Sequence, residues 1–193
     1  MKRLLFPVTG LTAFIILAAF VVADKNAASS DNKAVCLQDS VKIVLEEKVT
    51  GDIPVLYITD TALTTKDIQS AMSKGYGEIM RFIQRNKLQA LEFMAWYYSA
   101  GAPWLMDIGI QTNKIPPVLS GRIQSRIQKG GKAIVAHMWG PYDELGKAYA
   151  QIDAWLSENG RKRNGVPFEI YVNDASSTRN PLEIQTDVYQ PIQ

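Results

Sequence analysis

Residues 122–160 read RIQSRIQKGGKAIVAHMWGPYDELGKAYAQIDAWLSENG. Arg122 to Gln128 is a short β-prone run, Gly130-Gly131 marks a hairpin turn, and Lys132 to Met138 is its expected partner strand. Gly140-Pro141 then opens a helix. Proline is preorganised for a first helical position, and Asp143 and Glu144 follow where the helix dipole favours acids. Apolar side chains step by three and four through Tyr142, Leu145, Tyr149, Ile152, Trp155 and Leu156. Asn159-Gly160 is a helix stop. The stretch predicts strand, strand, helix.

Working outward, Pro167 to Asn173 and Ile184 to Tyr189 add two strands, completing β-β-α-β-β. The same order precedes it. Val41 to Lys48 and Pro54 to Thr59 flank a Gly51-Asp52 turn. A helical stripe of Ile68, Met72, Tyr76, Ile79, Phe82 and Ile83 opens near Thr64 and ends near Asn86. Leu91 to Ser99 and Trp104 to Thr112 are strands, and Ile115-Pro116-Pro117 separates the halves. The expected fold is α+β: a tandem β-β-α-β-β repeat, residues 40–114 and 121–192, whose antiparallel sheet carries two helices on one face.

The composition narrows the chemistry. With one cysteine and one histidine in 193 residues, a disulfide framework, a Cys-rich zinc site and a His cluster are all excluded. The formal charge of +2 resides in Lys2 and Arg3; beyond residue 23 the basic and acidic residues are equal in number. The basic pI is therefore no sign of nucleic-acid binding, and none is expected. Lys2 and Arg3 precede an uncharged run from Leu4 to Ala23, which fits a secretory signal peptide or an uncleaved membrane anchor. Either would carry the remainder across the membrane, because the positive flank stays inside. Residues 1–23 are read as that segment, 24–39 as a linker and 40–193 as the exported domain, periplasmic or membrane-anchored. Cys36, in the linker, is read as an unpaired thiol.

Three separated motifs carry a family resemblance. They are His137 to Leu145 followed by Ala154 to Gly160, then Pro167 to Asp174, then Thr186 to Ile192. Together they resemble the GyrI-like family, also called the bacterial or AraC-type effector-binding domain. The resemblance implies a tandem β-β-α-β-β fold, in agreement with the repeat. It also implies a ligand cleft between the repeats, lined by aromatics, where a strand glutamate helps bind lipophilic, often cationic molecules. Glu169 occupies that glutamate's place. Some members resembling this sequence hydrolyse cyclopropane-bearing toxins with the same glutamate; others are fused to DNA-binding domains, for which residues 1–40 are expected to leave no room.

In the strand itself, Phe168, Ile170 and Val172 alternate with Glu169, Tyr171 and Asn173. The apolar set is expected beneath the helix, which puts Glu169 and Tyr171 on the open side of the sheet. In a cleft, desolvation would raise the Glu169 pKa, and aromatic rings beside the carboxylate would attract an organic cation. Trp96 and Tyr98 share parity with Glu92, facing away from the helix, and are candidates for an opposing wall. Trp139 and Tyr142 flank the Gly140-Pro141 turn and complete the candidate ligand-binding set. His137 has three readings: a haem ligand as in the SOUL proteins, a base paired with Glu169, or a strand histidine with satisfied hydrogen bonds. Arg161, Lys162 and Arg163 read as solvated loop charges. No metal or cofactor is expected. The leading expectation is an extracytoplasmic binder of lipophilic or cationic small molecules. The alternatives are a hydrolase using Glu169, or a cell-envelope interaction module with a collapsed pocket.

Overall fold

The computed structural model describes residues 41–99, 101–173 and 175–193. The signal or anchor segment, the linker to residue 39 and Cys36 lie outside the described residues.

The elements follow in the order β1 (Lys42–Thr50), β2 (Ile53–Ala62), α1 (Thr65–Arg85), β3 (Ala90–Tyr97) and β4 (Trp104–Thr112). The second half repeats that order with β5 (Gln124–Gln128), β6 (Gly131–Trp139), α2 (Leu145–Glu158), β7 (Phe168–Tyr171) and β8 (Gln185–Pro191). Thr64 caps α1 through a reciprocal box with Asp67, each side chain bonding the other's backbone N–H. The second helix enters more loosely, through a 3-10 turn at Tyr142–Glu144 with no side-chain cap. It leaves through Asn159 into Gly160, whose φ of +59° suits a left-handed helix stop.

All eight strands form one antiparallel sheet in the order β1-β6-β8-β7-β3-β4-β2-β5. Exchanging each strand for its counterpart in the other half reverses this order onto itself. A pseudo-twofold axis therefore passes between β3 and β7.

The expected hairpin at Gly130-Gly131 is not one. β5 pairs with β2, and β6 pairs with β1 and β8. The β1–β6 pairing reaches Thr50 opposite Gly131, and the β2–β5 pairing resumes at Ile53 opposite Gln128 in the same register. Residues 42–57 and 124–139 are thus one antiparallel ribbon, kinked where Gly51-Asp52 faces Lys129-Gly130. A glycine pair between two β-prone runs serves the kink as well as it would a hairpin, so spacing alone did not separate the two. Asp52 fastens the kink by accepting from the Gly130 N–H at 2.9 Å and from Lys129 Nζ at 2.8 Å.

The ribbon joins opposite margins of the sheet, so the sheet curls. Both helices pack on its outer face: α1 over β2, β3 and β4, and α2 chiefly over β6. The inner, concave face has its own core, in which Val55 of β2 joins Ala133 and Val135 of β6 around Trp96, Phe168 and Tyr189. Side chains alternate between the outer and inner cores along β2, β3, β6 and β8. Gly109 makes the inner packing possible. A Cβ there would lie 2.9 Å from both the Trp96 ring and Val55. Gly109→Ala is accordingly expected to cost about 1–3 kcal/mol by overpacking. Chemical denaturation checks this; an unchanged midpoint would refute the packing described.

Candidate functional site

Glu169 lies in β7, beside the pseudo-twofold axis, opposite Ala95 of β3 and Val188 of β8. It faces the helices. This reverses the expected face assignment: Phe168 and Ile170 belong to the concave core, and Glu169 with Tyr171 lies beneath the helices. Both faces of β7 are buried, so its alternation could not say which one the helices cover.

Glu169 is 3% exposed. The Tyr149 hydroxyl of α2 donates to Oε1 at 2.9 Å, and the Tyr171 hydroxyl donates to Oε2 at 2.6 Å. No cationic side chain pairs with Glu169 among the described residues. Burial pushes its pKa above the ordinary carboxylate value, and the two tyrosine hydrogen bonds only partly oppose the rise.

A tyrosine shell surrounds this acid. Tyr97 of β3 lies against Tyr171, and Tyr76 of α1 donates to the Met94 carbonyl at 3.0 Å, within the electrostatic reach of Glu169. The Tyr142 ring meets Tyr171 edge-on, with centroids 5.6 Å apart. Burial first holds the Tyr76, Tyr97, Tyr149 and Tyr171 hydroxyls protonated well beyond the usual phenol range; the charge on Glu169 comes next for Tyr97, Tyr149 and Tyr171, and Tyr97 followed by Glu169 for Tyr76. They act as hydrogen-bond donors and aromatic walls, not as bases.

The shell is symmetric where the acid is not. Tyr76, Ile79 and Ile83 of α1 have the same spacing as Tyr149, Ile152 and Leu156 of α2. Tyr97 and Tyr171 lie two residues past Ala95 and Glu169, which face each other across the axis. Each half contributes one helix tyrosine and one strand tyrosine, and only the second half adds a carboxylate. Tyr76, Tyr97 and Tyr149 were not among the candidates read from sequence; the matched helix stripes were the signal that could have found them.

The predicted site residues divide between the two faces. Glu169, Tyr171 and Tyr142 come together beneath the helices. Trp96 and Tyr98 face the concave side, as their parity with Glu92 implied, and so stand across the sheet from Glu169 rather than opposite it as a wall. Trp139 is also on the concave side, with Lys42 Nζ 4.7 Å from its ring. The Gly140-Pro141 turn that separates Trp139 from Tyr142 sends them to different faces. His137 shares the concave side, Nδ1 2.9 Å from Asp187 and Nε2 3.1 Å from Glu46. That geometry removes it from Glu169 and matches the histidine with satisfied ring nitrogens. Arg161 and Arg163 are engaged by Glu47 and Asp153.

A buried acid ringed by tyrosines at the junction of two β-β-α-β-β halves agrees with a sequence comparison. The model of the GyrI-like small molecule binding domain matches residues 59–193, covering most of both halves. The chain belongs to this family. Its domain is a small-molecule binding domain, and its partner is accordingly a small-molecule ligand. No curated protein matches the chain significantly.

Solved structures of GyrI-like shape share the fold at low identity. EcmrR, seen in a DNA complex, superposes with a TM-score of 0.66 at 17% identity, over 79% of this chain and 57% of EcmrR. The chain thus spans little more than half of that protein. A hydrolase from Listeria innocua gives a TM-score of 0.58 at 12% identity, over 77% of this chain and 91% of its own. SAV2435 bound to tetraphenylphosphonium gives 0.52 at 9% identity, over 78% and 94% respectively.

Proposed function

We propose that this GyrI-like domain binds a lipophilic organic cation, with Glu169 as counter-ion and the tyrosine rings as walls, on the extracytoplasmic side of a membrane. The observation that carries the reading is a buried carboxylate held only by neutral hydroxyls. An ionised carboxylate removed from water is costly unless a cation meets it. Small inorganic cations and protonated amines bring tightly held water. A quaternary cation clothed in aromatic rings has no donors to satisfy and presents its charge to ring faces and carboxylate alike. SAV2435, of the same fold, holds a ligand of that kind. The Tyr142 ring, carried on the 3-10 turn, packs edge-on against Tyr171, so a ligand drawn to Glu169 from that side would move it.

Calorimetric titration with tetraphenylphosphonium tests the proposal. Saturable binding is expected, weakening as pH falls and Glu169 takes up its proton. No binding, or equal affinity for neutral triphenylphosphine oxide, would refute it.

The extracytoplasmic part rests on Lys2, Arg3 and the apolar run to Ala23. Among the described residues no helix is long and apolar enough to cross a membrane. Cell fractionation should recover the protein in the envelope; recovery of the full-length chain in the cytosol would contradict that location. A second reading draws on the raised pKa of Glu169 beside two tyrosine donors. A carboxylate so placed can direct water onto a strained cyclopropane-type electrophile. Product formation exceeding that of Glu169→Gln would favour it.

A further inference from the structure

The concave face holds a cleft of about 290 Å³, across the sheet from Glu169. Its apolar wall is Trp96, Phe168, Val166 and Pro191, and its polar wall is Arg126, Gln128, Lys129 and Lys132. Three cations line it and no carboxylate does. Two of the three are already paired, Lys129 with Asp52 and Arg126 with Asp107.

Arg126 is the built element. Its guanidinium lies over Trp96 at 3.9 Å and over Tyr57 at 4.5 Å, measured to the ring centroids. Nη1 donates to Asp107 Oδ2 at 2.6 Å and to the Tyr98 hydroxyl at 3.1 Å. Asp107 is itself 4% exposed and accepts further bonds from Thr59 at 2.7 Å and Tyr98 at 2.6 Å. The group is therefore fixed by aromatic faces and by a pair on one nitrogen. Its other two nitrogens, Nε and Nη2, are buried and meet no acceptor among the described residues.

Those two nitrogens form one edge of the guanidinium. It is the fork that matches a carboxylate with two parallel hydrogen bonds. Asp107 leaves this edge unused, although buried donors without acceptors are costly. Both nitrogens are closed off from solvent, so a planar anion entering from the cleft would have to part the side chains over this edge before it satisfied the two donors. Its body would then lie along Trp96 and Phe168, whose rings sit 5.7 Å apart at 32°. Exposed Lys132 adds positive charge at the mouth.

We infer that the concave cleft is a second ligand site, selective for small aromatic carboxylates, with the Nε–Nη2 edge of Arg126 as the carboxylate receptor. It is independent of the cation site, which lies on the other face of the sheet.

The test uses 2-naphthoate as probe on the full domain, followed by calorimetry and by NMR of the tryptophan indole N–H signals. Binding is expected, with a shift of the Trp96 indole resonance. Neutral 2-naphthalenemethanol should bind at least about tenfold more weakly, since it loses a bidentate charged pair. Arg126→Lys keeps the charge facing Asp107 but removes the fork and should weaken naphthoate by about tenfold or more. Lys132→Gln, at an exposed position, should weaken it less and keeps the test valid if Arg126→Lys folds poorly. Saturating tetraphenylphosphonium should not displace naphthoate. Absence of naphthoate binding, equal affinity for the alcohol, no effect of either substitution, or displacement by tetraphenylphosphonium would each overturn the inference.

Discussion

Glu169→Gln is expected to weaken binding of tetraphenylphosphonium by roughly a hundredfold while making the unliganded protein more stable at neutral pH. Both effects have one origin. The folded carboxyl holds its proton more tightly than the unfolded one, because burial raises its pKa and the hydrogen bonds from Tyr149 and Tyr171 do not fully compensate. Ionisation in the folded state thus opposes folding. Its contribution to stability is at its best below the ordinary glutamate value. It declines as pH rises through the raised folded value and is constant above that. Glutamine keeps the shape, accepts one tyrosine hydrogen bond and never ionises, so the variant should lose this decline and melt higher above that window. It also removes the counter-ion for an organic cation, and affinity should fall by roughly a hundredfold, the scale of a desolvated charge interaction. Paired thermal melts and titrations across pH measure both. A variant that melts lower and still binds would separate Glu169 from the ligand altogether.

Asp107→Ala is expected to be the most destabilising single change on the concave face. The carboxylate is buried and accepts from Thr59, Tyr98 and Arg126 at once. Removing it leaves the Arg126 charge between Trp96 and Tyr57 without its acid, and the cost of breaking such a pair is about 3 kcal/mol. In a domain of this size that lowers the melting temperature by roughly 10 °C. Replacing both partners in Asp107→Leu/Arg126→Met should restore much of the loss, since an apolar pair of similar volume leaves no orphaned charge. If the double variant is as unstable as the single one, the cost lies in packing and not in the uncompensated arginine.

The element order was legible from residue spacing, because the helices keep a three-and-four stripe and the strands are β-branched or aromatic between Gly and Pro breaks. Thr64 and Asn86 bound α1 where the pattern placed them. The pairing of strands was less legible. Gly130-Gly131 and Gly51-Asp52 have hairpin chemistry, yet each sits at a kink in a ribbon whose partner is far away in sequence. The site was legible in part. Glu169, Tyr171 and Tyr142 followed from the motif, but Tyr149 had been absorbed into the apolar stripe of α2. A tyrosine reads as core by position, and only the register of the helix over β7 shows that its hydroxyl reaches an acid. Trp96 and Tyr98 were drawn to the same site by their aromatic density. Trp96 instead packs in the inner core against Phe168, and the Tyr98 hydroxyl bonds Asp107 on the same face.

A structure of the domain with tetraphenylphosphonium tests the central claim most directly. The account predicts the phosphonium beneath the helices, its centre within about 6 Å of aromatic ring centroids, with the Glu169 carboxylate turned toward it and Tyr142 moved off Tyr171. A ligand seated in the concave cleft against Trp96, with Glu169 still bonded to Tyr149 and Tyr171, would contradict it.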